Sequence, residues 1–325
     1  MKSHGKSKII LVITLGIFFS LLLLVTFNPS QNSPDHDNLQ NWSVSGKIHI
    51  EDGLAWIDAK VEGIVTGVGT YSDPFVIEDL IIDAGGSGSG ILIENSFIYV
   101  RIENCTIYNG DTGIYLFNSL NTLILRNNVS NNNFGIRSIY SENFTILGNK
   151  AYNNEYYGIS LGSSSEINVI GNEANHNNYA GIHLEDSIGI NISGNTANHN
   201  NYLDWSMGIA LTSSNRTIVS GNTLSDNRQS GIILYNSNNN TIQFNVIKQS
   251  DIGIYLAYSY NNEISSNYFG SNNADIIEHI ELESLTEVLV IVIGIIAIIA
   301  LPGMLIFKRI RIFKPVYEDQ RVVNK

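Results

Sequence analysis

The sequence predicts an all-β protein, a single-stranded parallel β-helix of about eight to nine coils with three short strands in each coil of 22–23 residues, flanked by N- and C-terminal transmembrane helices. Three observations predict it. The phrase Gly-Ile-x-Leu-x-x-Ser, followed by Ile and then Asn, returns at Gly90, Gly113, Gly135, Gly158, Gly181, Gly208, Gly231 and Gly253, at intervals of 23, 22, 23, 23, 27, 23 and 22 residues. A fixed period of that size marks a repeat architecture. Within the period, apolar residues recur two apart, as on one face of a strand. Frequent Gly, Asn and Ser leave no stretch long enough for a helical repeat.

In chain order, Lys2, Lys6 and Lys8 precede an apolar run from Ile9 to Phe27, long enough to cross a bilayer as an anchor or to serve as a signal peptide. Residues 28–43 are polar and read as a flexible linker. Residues 44–75 are expected to cap the repeats: VSGKIHI alternates as a strand, and Trp56, Ile57, Val61, Ile64 and Val65 supply apolar bulk. Repeats then occupy 76–275. Residues 276–287 read as a short capping helix or strand, because the place of the next Gly is taken by Ile276. Val288 to Phe307 is a second apolar run, closed by Lys308, Arg309, Arg311 and Lys314 in the basic tail 308–325. Basic flanks belong on the cytoplasmic side, which places residues 28–287 in the extracellular or periplasmic space.

Counted from each Gly as position 0, position 1 is Ile in all eight copies and position 3 is Ile or Leu in all but one, where it is Ser138. Position 11 (Ile146, Val169, Ile192, Val219) and position 16 (Val129, Ala151, Ala174, Ala197, Leu224) supply two further inward columns. Three apolar faces per period imply three strands per coil, stacked at about 4.8 Å into a rod about 40 Å long. Each inward Ile or Leu contributes about 1.5–3 kcal/mol before chain entropy. Position 6 is always Ser, from Ser96 to Ser259, and position 14 always Asn, from Asn104 to Asn267. Asn tolerates left-handed corners and stacks its amides in ladders, so this column is expected to be structural.

Charge excludes one class of partner. Residues 28–287 hold nine basic against 28 acidic side chains, a net −19, which repels phosphate backbones and argues against nucleic acid. The single Cys105 forms no internal disulfide and fits no metal-ligand spacing.

Copies such as GISLGSSSEINVIGNEANHNN (158–178) and GIALTSSNRTIVSGNTLSDN (208–227) resemble the coils of the right-handed parallel β-helix repeat family, which includes NosD-like periplasmic copper-binding accessory proteins and pectin-lyase-like surface proteins. The resemblance covers residues 76–275. It implies the fold, and two activities as alternatives: copper handling, or lyase or glycosidase chemistry on an outer strand face.

Four sets of candidate residues follow. His176 and His199, in the near-identical phrases EANHNNY and TANHNNY, stand one coil apart and are candidate ligands for Cu or Zn; Ca is the other ion to consider. The coil from Gly181 is four residues longer than its neighbours, so Tyr202-Leu203-Asp204-Trp205-Ser206 is expected to bulge, with Tyr202, Trp205 and the outward Tyr115 as a sugar-stacking surface. Arg137, His183, Glu185, Asp186 and Asp204 are candidate catalytic groups for proton abstraction or glycosidic cleavage. Among seven N-x-S/T triplets, Asn41 in the linker is the expected glycosylation acceptor, whereas Asn104 is assigned to the corner ladder. These readings favour a membrane-anchored surface protein binding a polysaccharide or a surface protein without catalysis.

Overall fold

The computed structural model describes residues 43–44, 46–51 and 53–279, all within the unit of the chain that begins at residue 42. Both apolar runs at the ends, the linker up to residue 42 with its Asn41, and residues 280–287 lie outside the described residues; Ser43, at the linker's end, already pairs with Ile81. Among those described, no helix is long and apolar enough to cross a membrane.

Three parallel sheets wrap one core. The first holds ten strands, from Ile48–Ile50 through Ser89–Glu94 to Ala274–His279, and the second nine, from Phe75–Glu78 to Glu263–Ser265. The third is split into five strands, ending at Lys150–Tyr152, and three, starting at Thr223–Ser225; single bridges through Glu173 and Thr196 join the two parts. The expected register holds throughout the first sheet, where Ile91, Ile114, Ile136, Ile159, Ile182, Ile209, Ile232 and Ile254 pair in succession and are all fully buried. The repeated Gly is needed for close approach. A Cβ at Gly135 would lie 2.4 Å from the Gly158 carbonyl oxygen, and one at Gly181 2.6 Å from that of Ala174.

The polar columns are ladders. Each Ser backbone N–H from Ser96 to Ser237 donates to the Ser Oγ of the next coil, at 2.9–3.4 Å. Each Asn N–H from Asn127 to Asn245 donates to the Oδ1 of the next Asn at 2.8–3.0 Å, and the amide nitrogen reaches back to a carbonyl of the coil below, as from Asn172 to Ile146 at 2.9 Å. A second, unforeseen Asn ladder runs through Asn132, Asn154, Asn177, Asn200 and Asn227.

Several expectations are corrected. The Asn ladder does not itself occupy the left-handed corner; the preceding residue does, as at Gly148 (φ 62°), Gly171, Gly194 and Gly221. Asn104 is one of those corners (φ 54°), and Cys105 takes its place in the ladder by donating its N–H to Asn127. The cause is one extra residue in that coil, since Ile91 pairs with Ile114 while Glu103 pairs with Leu125. In the cap, Gly53–Val61 forms a helix, α1, whose Trp56 is buried and stacks on Phe75 at 5.1 Å. Ile57 and Val61, expected as apolar bulk, face outward on α1 and are exposed. Ile48–Ile50 already pairs with Ser89–Glu94 and is the first strand of the long sheet. At the far end the last coil is 22 residues, so Asp275 rather than Ile276 stands where Gly is expected, and 274–279 is a strand.

Ser138, the one break in position 3, points inward between Leu116 and Leu161 in the column, fully buried, and its Oγ has no hydrogen-bond partner. An orphaned hydroxyl costs free energy. Ser138→Ala is therefore expected to raise stability by about 1 kcal/mol. Asn172→Ala strips partners from the Asn149 N–H and side-chain amide and from the Ile146 carbonyl, and is expected to cost about 2–4 kcal/mol. Denaturant midpoints of the two variants, moving in opposite directions, check both.

Candidate ligand groove on the ten-stranded sheet

The long coil leaves the stack where expected. Tyr202 and Trp205 stand 74% and 69% exposed. Ser206 clamps the base of the loop: the Leu203 N–H donates to its Oγ at 2.9 Å, and that hydroxyl donates to the Asn178 carbonyl. The Met207 N–H then rejoins the sheet on the Tyr179 carbonyl at 2.8 Å, so the extra residues do not disturb the register. Asp204 is tied to Arg228 at 2.6 Å, which braces the loop against the next coil.

The loop divides the two aromatics. Trp205 overhangs a groove of about 500 Å³ on the outer face of the ten-stranded sheet, together with Tyr157, His183, Met207, Gln229, Tyr235, Tyr255 and Tyr258. The groove runs across successive strands, because Ala210, Ile233 and Tyr255 follow His183 in register, as Thr212, Tyr235 and Ala257 follow Glu185. Ala210 and Ala257 keep its floor low, and Trp205 stands at one margin with Tyr235 and Tyr258 at the other. Tyr202 lines a different, polar cleft of about 480 Å³ with Glu155, His176 and Asn178.

Arg137 and Tyr115 sit on the same sheet but outside the groove. The guanidinium lies 4.4 Å over the Phe134 ring and 5.7 Å from Tyr115, a cation–π clamp. Glu185 and Asp186 are exposed near the groove margin. No hydrogen bond or ion pair joins any two of Arg137, His183, Glu185, Asp186 and Asp204. His176 and His199 stack at 5.0 Å with planes 9° apart, the expected one-coil spacing, and His199 Nδ1 lies 3.6 Å from Asp226. Lone pairs of parallel rings run side by side and do not converge on one ion, and among the described residues no group of three His, Cys, Asp or Glu is placed to hold a metal. As arranged, the pair does not fit a closed copper or zinc centre.

The residues missed from the sequence are Tyr157, Met207, Gln229, Tyr235, Tyr255 and Tyr258. Their signal was present at outward positions −1, 2 and 4 of the coils, which hold Met207, Tyr255 and Tyr235, and at position 5 in Tyr258.

His183 stacks on Tyr157 at 4.4 Å, and its Nδ1 is sealed from solvent without a hydrogen-bond partner. Burial pushes its pKa down to about 4 and raises that of Tyr157. For His183 the neutral form is the one the fold favours, so its contribution is complete above the unfolded value of about 6.5 and is lost as pH falls from there through 4. Full loss amounts to about 3 kcal/mol. Denaturant unfolding of wild type and His183→Phe between pH 7 and pH 4 is expected to show the variant losing less stability by roughly that amount.

A family model described as periplasmic copper-binding protein (NosD) matches residues 139–280, and one described as right handed beta helix region matches residues 63–207. No curated protein matches the chain. Two mutant forms of the periplasmic alginate epimerase AlgG are similar in structure, each at 18% identity and TM-score 0.52, one over 58% of this chain and 50% of that one, the other over 66% and 53%. An Azotobacter vinelandii mannuronan C-5 epimerase A-module is 15% identical over 63% of this chain and 57% of that one, with TM-score 0.49. The chain thus spans about half the length of these solved structures, and at such identities the likeness is one of fold. With its in-register parallel coils and both family models, the chain is a right-handed parallel β-helix repeat protein of the pectin-lyase-like superfamily.

Proposed function

We propose that the chain is a membrane-anchored surface protein whose β-helix, outside the cytoplasm, binds glycans or other surface components in the groove beneath Trp205 without catalysis. One observation carries the reading: an exposed Trp on a braced loop overhangs a groove lined by four Tyr side chains. Aromatic faces supply large, preorganised area for stacking on sugar rings, with phenol groups as polar handles. Catalysis would require an acid or base within hydrogen-bonding reach of a bound substrate and a second group working with it. The candidate groups here are instead dispersed, with Asp204 committed to Arg228 and Arg137 to its aromatic clamp.

The test is a panel of polysaccharides presented to the full-length protein. Retention without shorter or unsaturated products is the expected outcome, and such products would replace binding with a lyase or hydrolase reading. Trp205→Ala is expected to weaken retention about tenfold, whereas Tyr202→Ala, on the other cleft, leaves it unchanged.

A second reading, a copper-binding accessory protein, is favoured by the family-model match across residues 139–280, which spans both stacked histidines. It requires the rings of His176 and His199 to turn toward a common ion and to find further ligands. The reading predicts that full-length protein dialysed against copper or zinc keeps metal in stoichiometric amount and loses it in the double variant His176→Ala, His199→Ala. Metal content at background in wild type removes it.

A further inference from the structure

The charge pattern of the groove narrows its ligand. None of its lining residues is Lys, Arg, Asp or Glu, and the two lining imidazoles, His183 and His279, are its only basic side chains. The basic side chain adjacent in sequence, Arg228 beside Gln229, spends its guanidinium on Asp204 at 2.6 Å. Arg137, farther along the sheet, holds its guanidinium over Phe134. At the near end the margin is acidic: Glu185 stands in register with Thr212 of the groove, Asp186 follows it, and both are exposed. The lining His183 is neutral near pH 7 because its Nδ1 is sealed away from water.

A polyuronate places one carboxylate on every sugar. Lying in this groove it would exchange water for aromatic and aliphatic surface with no Lys or Arg to pair, beside the like charge of Glu185 and Asp186. An uncharged saccharide meets no such penalty. Its C–H faces fit Trp205, Tyr235, Tyr255 and Tyr258, while the Gln229 amide and Thr212 hydroxyl are placed to bond its hydroxyls. We infer that the groove accepts an uncharged saccharide chain in preference to a polyuronate, an inference that rests on the glycan-binding reading above.

Calorimetric titration of the full-length protein tests it. One set of ligands is neutral (gluco-, manno- and chito-oligosaccharides); the other is oligomannuronate and oligogalacturonate of equal length, at low and high salt and with and without calcium. A neutral ligand is expected to bind at least about tenfold more tightly than either uronate, with an affinity indifferent to salt. Tyr255→Ala is expected to weaken it about tenfold, and Gln229→Lys, which places one cation in the groove, to raise uronate affinity by a similar factor. Tighter binding of a uronate by wild type, with or without calcium, overturns the preference and leaves glycan binding standing. Binding of neither set overturns the glycan reading itself.

Discussion

Backbone hydrogen bonds between coils set the terms for everything else in this protein. The N–H groups of one turn are answered by carbonyls of the next, from the Ala151 N–H on Glu173 to the Ala197 N–H on Thr223. Such a stack tolerates extra residues only where they leave it and return without shifting the register. The bulge between Asn200 and Met207 does so, since Ser206 closes its base and Met207 resumes the ladder on Tyr179. It also sits where the third sheet thins to the single bridges of Glu173 and Thr196, while the ten-stranded sheet beside it keeps six-residue strands. A loop on a rigid sheet can then present a side chain at low cost in order.

The polar ladders explain how so many Asn and Ser side chains are buried in a core this narrow. Each one accepts an N–H from the coil below; the Asn amides donate back to a carbonyl of that coil, whereas the Ser hydroxyls donate to a carbonyl two residues earlier in their own coil, so the ladders leave no coil's polar groups satisfied without its neighbour. That direction leaves a vacancy at the start of the stack, where Ser96 has no preceding serine. The indole N–H of Trp56 fills it at 3.2 Å, and stacking on Phe75 holds the ring there. The cap helix therefore closes a hydrogen-bonding sequence as well as covering apolar surface.

Most of the fold was legible because the constraint is periodic and so is the sequence that obeys it. What failed were features that counting residues does not resolve. One extra residue before Asn104 moved it to a corner and put Cys105 in the ladder. The α1 segment has a buried Trp56 yet exposes Ile57 and Val61, so its apolar composition gave the bulk without the face. The groove was less legible still. Tyr157, Tyr235 and Tyr255 lie in different coils and at different positions of the repeat, and only stacking brings them together. Trp205 was found through an anomaly of length, but length does not say to which side each loop residue turns, and Tyr202 turned to the other cleft.

The two departures from the repeat show what decides whether a break can carry function. Ser138 departs in composition at an inward position, keeps the register, and ends in the core with its hydroxyl unanswered. Nothing outside the protein can reach it, so its consequence is confined to stability. The bulge departs in length at a turn, where the chain can move away from the core without breaking a backbone pair. Its consequence is a solvent-facing indole above a surface whose neighbouring Ala210 and Ala257 leave room beneath. Those small residues look inert when each is taken alone. Beside Trp205 and Tyr255 they are what makes the surface concave, and concavity is what a flat sheet must acquire before it can hold a ligand.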